Sequence, residues 1–233
     1  MVPFIYGDKG CDFYIEPEIA RFDRFDQIIF NEEGVFELLF ETVSAEDEDT
    51  VQGFGIFELK ITSYSEASGK IVYSDANNFA YDFIYANQEY VVLARDGSDE
   101  TGYKSKFIFI NGSDFTVTET KDLNNYLFDS LVCTSDEKYA FASGSYKNSV
   151  SGKDVASFIK IDVENHTFSN NGVPKLFPAS ETNLNSNFNC LSIKENEIFL
   201  AGYIDENYTD DEDGYTSGYP YLVSYDTSTD KVI

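Results

Sequence analysis

The stretch DENYTDDEDG at 205–214 concentrates the metal-binding chemistry of the chain. Asp205, Asn207, Asp211 and Asp213 offer oxygen donors, and Gly214 permits a sharp turn, which together form the kind of ligand set that a hard cation such as Ca2+ takes. The spacing is not that of an EF-hand, and no bidentate Glu falls at the expected final position. Tyr208, Tyr215 and Tyr219 crowd the same stretch around Asp210. Tyrosines among small polar and acidic residues suit contact with a protein or a glycan. The alternative use of such a charge run is a solvated hairpin tip.

Catalytic chemistry has fewer places to reside. His166 is the one histidine in 233 residues and lies in the turn DVENHTF, so any Ser/His/Asp or Cys/His site would have to use it. No GxSxG, HExxH, phosphate-binding glycine loop or CxxC pair occurs. Carboxylates are so numerous that a glycosidase-type pair could always be nominated, which makes a nomination uninformative. Cys133 and Cys190 fall in apolar strands and read as small core residues.

With 42 acidic against 16 basic residues, the formal charge is -26. Such a field repels nucleic-acid phosphates and attracts cations or basic protein surfaces. The hydrophobic share of 42% and aromatic share of 16% suffice for a sizeable core. Three scattered cysteines make no disulfide framework, and no apolar run is long enough to cross a membrane as a helix. The expected compartment is extracellular or cell-surface.

The elements that must carry these residues repeat. An aromatic residue, Asp or Asn, any residue, then Ile or Leu occurs at Phe25–Ile28, Tyr81–Ile84, Phe128–Leu131 and Phe188–Leu191. After each copy come a polar turn (NEEG, ANQE, SDEK, KENE), a second strand, an interruption of variable length, a third strand and a short fourth. Four antiparallel strands in roughly fifty residues is the pattern of a β-propeller blade. One such sheet cannot cover both of its faces, and radial stacking covers them. The spacing predicts blades over about 25–75, 81–122, 128–175 and 188–233, with Asp26, Asp82, Asp129 and Asn189 on innermost strands. The segment 3–15 matches 220–233 in pattern and reads as a half blade. It either closes a seam against the last blade or marks the chain as a piece of a longer propeller, and the repeat count favours the second.

The segments IFLAGYIDENY and YLVSYDTSTDKVI resemble the second and third strands of kelch-like and related propeller repeats. A small residue or glycine ends one strand, and a Tyr-Asp pair leads into the rim turn. The paired glycines of kelch repeats are replaced by Ser143, Gly144 and by Ala201, Gly202, and the chain has no tryptophan. What the resemblance implies is therefore an all-β propeller. The expected function is non-catalytic binding of a protein or glycan through an acidic, loop-bearing face. The alternative is a carbohydrate-active propeller enzyme, which a ring of carboxylates converging on the channel would distinguish.

Overall fold

The computed structural model describes residues 5–7, 10–15, 18–21, 28–30, 35–43, 51–63, 66–76, 78–98, 102–172, 175–177, 185–205, 219–229 and 231–233. They form four successive antiparallel sheets. The first joins β1 (Ile5–Gly7), β2 (Gly10–Ile15), β3 (Glu18–Arg21), β4 (Ile28–Phe30), β5 (Val35–Val43), β6 (Val51–Ser63) and β7 (Glu66–Asp75). The second is β8 (Phe79–Ala86), β9 (Glu89–Ser98), β10 (Gly102–Asn111) and β11 (Val117–Asn124). The third holds β12 (Tyr126–Cys133), β13 (Tyr139–Lys147), β14 (Asp154–Asp162), β15 (Thr167–Phe168) and β16 (Lys175–Phe177). The fourth is β17 (Asn185–Lys194), β18 (Glu197–Asp205), β19 (Tyr219–Asp226) and β20 (Lys231–Val232). Apart from a short 3-10 turn at Ser169–Gly172, no helix occurs among the described residues, and none is long and apolar enough to cross a membrane.

This is the blade architecture of a β-propeller. Strands β8, β12 and β17 are innermost, and β17 packs across β12, β13 and β14 of the sheet before it. Three apolar layers result. Phe54 and Ile56 of the first sheet meet Phe83, Val92 and Ile108 of the second. Ile84, Leu93 and Phe107 meet Phe128, Leu131 and Ile159 of the third. Phe141 and Phe158 meet Phe188, Leu191, Leu200 and Val223 of the fourth. Alternation puts one set of side chains on each face, so every interior sheet contributes to two layers.

Several local features depart from the repeat. In the first sheet β3 and β4 share one edge of β5, at Ala20–Thr42 and Ile28–Leu38. The strands of segment 5–15 pair with each other and reach β5 through β3, so among the described residues they belong to the first sheet rather than to a seam with the last. In the third sheet the outer strand is split, with β15 pairing at Ile161–Asp162 and β16 at Ala156–Phe158.

The aromatic-Asp motif is also out of register between sheets. A bulge follows Phe128, opposite Gly144, and another follows Phe188, opposite Gly202, leaving Asp129 and Asn189 as the extra residues. In the second sheet the bulge comes one residue earlier, and Tyr81 is the extra residue while Ala80 faces Ala94. Tyr81 is therefore 44% exposed, whereas Phe128 and Phe188 are fully buried. The sizes trade across the pair: Phe opposite Gly in two sheets, Ala opposite Ala in the other. A Cβ on Gly144 would stand 2.0 Å from the Leu127 carbonyl oxygen, and one on Gly202 would stand 1.7 Å from that of Asn187.

Candidate functional site

The strand two to strand three connections and the starts of the innermost strands emerge on the same end of the propeller. Of those connections, Asn148–Lys153 is described in full. The Asn148 side-chain oxygen accepts the N–H groups of Val150 (2.9 Å) and Ser151 (3.2 Å), while Gly152 takes φ +68° to close the loop. The acidic stretches 44–50 and 206–214 lie outside the described residues, and so do Asn207, Tyr208, Asp210, Asp211, Asp213 and Tyr215. Asp205 is the last residue of β18. Tyr219 opens β19 and is well exposed, at the loop end of the strand.

Nearer the axis, the innermost strands carry a polar chain that crosses three sheets. Arg95, late in β9, lies 3.8 Å over the Tyr81 ring and forms an ion pair with Asp129. Its guanidinium also donates to the Phe128 carbonyl at 3.3 Å. The other oxygen of Asp129 accepts from Asn187 at 3.1 Å, and Asn187 also donates to Asn189 at 3.0 Å. At position 129 of the repeated motif, one carboxylate thus joins the second, third and fourth blades.

Asp82 answers the same motif differently. It is buried, accepts the N–H of Phe83 at 2.7 Å and accepts the N–H of Leu131 from the next blade at 2.6 Å. The bulge at Tyr81 makes this possible by turning residue 82 toward the third sheet. Ser105 repeats the function, accepting from the Phe128 N–H (2.8 Å) and donating to the Tyr126 carbonyl (2.9 Å). Ser186 accepts the Ala156 N–H at 2.8 Å.

His166 lies at the rim, away from the channel, as its turn position implies. It is half-buried, its ring stacked 4.1 Å from Phe109 of the second sheet. Its two ring nitrogens meet different carboxylates, Glu119 at 3.0 Å and Glu89 at 2.5 Å. The hydrogen bond from Lys121, seconded by His166, holds the Glu119 carboxyl below its ordinary range. Among the described residues, no serine or cysteine is bonded to this histidine.

The thiols separate. Cys133 is half-buried in β12, and burial pushes its thiol up, as for an inert core cysteine. Cys190 is exposed, which corrects the expectation that it is a core residue: among the described residues no blade lies over its side of β17. Among the described residues no group of three or more His, Cys, Asp or Glu side chains could hold a metal ion. A cavity of about 330 Å³ lies on the opposite end of the fourth sheet, lined by Lys194, Glu197, Asp226 and Ser228 among others. Asp226 is there a turn cap, and hydrogen bonds from Ser228 and Thr229 lower its carboxyl to about 2.

No family model matches the chain, and no curated protein matches its sequence. Solved structures do match. An exo-β-1,3-galactanase from Phanerochaete chrysosporium, determined with β-1,3-galactotriose, is similar over 92% of this chain and 48% of its own, at 11% identity and a TM-score of 0.53. The β-propeller domain of Cps50 (Swd1) from Myceliophteria thermophila is similar over 84% of this chain and 56% of its own, at 10% identity and a TM-score of 0.47. The chain thus spans about half the length of these two structures. At such identities the likeness concerns the fold alone.

Proposed function

We propose that the chain is a non-catalytic β-propeller module that binds a protein or glycan partner through its loop-bearing face. The observation that carries this reading is the engagement of the innermost carboxylates. Asp82 is used up by two main-chain N–H groups, and Asp129 by Arg95 and Asn187. A hydrolytic pair needs one carboxyl free to donate and one free to attack or activate water. Both carboxylates described at the channel instead tie blades together.

In this reading the acidic loops steer a basic surface toward the face, and Tyr208, Tyr215 and Tyr219, with Asp210, supply the contact. Asp205, Asn207, Asp211 and Asp213 are the donors for a Ca2+ bound in the same loop. A calcium titration tests that part, because melting temperature should rise with the logarithm of calcium concentration, and magnesium should do much less.

The functional test is a glycan array and a panel of basic proteins, read for binding and turnover together. Expected are binding without turnover and, for a basic partner, association that slows as salt is added. Release of sugar from a glycan, abolished by Asp129→Asn, would overturn the reading in favour of a carbohydrate-active enzyme.

A further inference from the structure

Each sheet of a propeller has one face toward the preceding blade and one toward the following blade. On the third sheet the following face is closed: Phe141 and Phe158 are each 2% exposed beneath the fourth sheet. The pairings Phe128–Gly144 and Phe188–Gly202 fix the equivalence of the two sheets, and they place Phe199 where the third sheet has Phe141. The pairings Ser143–Phe158 and Ala201–Leu222 place Leu222 where the third sheet has Phe158.

Exposure is what differs. Phe199 is 43% exposed and Leu222 is 77% exposed. Cys190, opposite Ala201, and Ser192, opposite Phe199, share this face and are exposed as well. Lys194 and Glu197 mark its lower edge; above them Cys190, Ser192, Phe199, Ala201 and Leu222 are all uncharged, in a chain of net charge -26. The other end of the arc is different. Leu38 and Phe57 pair on the side of the first sheet that faces away from the second, and both are buried.

We propose that the outward face of the fourth sheet is an inter-blade face whose occupant is a further propeller blade. That blade is a four-stranded antiparallel sheet presenting an aromatic and aliphatic side like the one formed by Phe188, Leu191, Leu200, Val223 and Tyr225. The argument is continuity with the interface already made between the third and fourth sheets: the same positions carry large apolar side chains, and where the third sheet has Lys160 beside Phe141 the fourth has the uncharged Ser224 beside Phe199. Leaving such a face in water forgoes the burial that holds every other blade in place. This inference rests on the fold and not on the binding function proposed above.

The test appends a second copy of residues 185–233 after Ile233, in a background of Cys11→Ser and Cys133→Ala. Thiol labelling then reads Cys190 alone. Expected is a roughly tenfold or greater slowing of Cys190 labelling in the extended chain, reversed by Phe199→Ser with Leu222→Ser. Labelling that is as fast with the extension as without it overturns the proposal.

Two measurements on the unextended chain stand independently of whether the added copy folds. Phe199→Ser with Leu222→Ser should leave its melting temperature within about 2 °C. A larger fall would mean that the chain covers the face by itself, against the proposal. Light scattering should find a monomer; a dimer with protected Cys190, broken by the same two substitutions, would make a second copy the occupant and overturn the blade.

Discussion

The blades are joined at the centre and at the rim by different chemistry. At the centre, Asp82, Ser105 and Ser186 are buried and bond to main-chain groups of a neighbouring blade, beside the side-chain contacts of Asp129 with Arg95 and Asn187. At the rim, side chains meet side chains: His166 with Glu89 and Glu119, and Lys175 with the Tyr225 hydroxyl. A buried bond to main chain fixes the register of two strands, and its loss strands a polar group without water. A side-chain contact nearer the surface can rearrange, and any charge in it is screened by salt. The centre therefore sets where the blades stand, and the rim adjusts how firmly their edges close.

The hardest break of this division is Gly144→Ala. The added methyl meets main chain rather than a flexible side chain, so the bulge must shift, at a cost of about 3 kcal/mol. A urea midpoint close to that of the unsubstituted protein would show that the centre is softer than described. Asp82→Ala comes next, expected to lower stability by about 2–3 kcal/mol, since a charged acceptor is withdrawn from two N–H groups. Asp82→Asn keeps one acceptor and should lose less.

At the rim, His166→Ala should cost only about 1 kcal/mol in urea unfolding. If its cost exceeded that of Asp82→Ala, the assignment of stability to the centre would be wrong. The smallest effect is alkaline. Burial, then the neighbouring Asp75 charge, pushes the Tyr73 hydroxyl up to about 12, and burial followed by Glu37 pushes Tyr90 up as well. The folded state then holds these protons above pH 10 while the unfolded chain gives them up, so stability should fall between about pH 10 and pH 12. Tyr73→Phe should flatten the melting curve across that window.

The succession of four antiparallel sheets was legible in sequence because it depends on alternation and turn residues, which are local, whereas the extra strands of the first sheet and the split outer strand of the third were not. The Asn87–Gln88 turn shows the limit. Both residues adopt positive φ, the geometry of a tight two-residue hairpin, although the second is Gln rather than glycine. The motif Tyr81-Asp82 reads like Phe128-Asp129, yet the structure offsets the two by one residue. Only the size of the cross-strand partner, Ala94 against Gly144, distinguishes them, and that pairing is non-local. The candidate site was less legible for a related reason. Arg95, Asn187 and Ser105 belong to no motif; they matter through contacts with residues more than twenty positions away. The exposed Cys190 was misread because a single repeat does not say whether another lies over it.

The link between the second and third blades is one residue, Asn125, at φ +66°, between the end of β11 and the start of β12. One residue spans only about 3.5 Å of contour. Under mechanical load, tension therefore passes at once from the second blade to the third. With Lys147 donating to the Asn125 carbonyl at 2.8 Å, that joint has no slack to absorb a pull. The second and third blades form a single force-bearing unit.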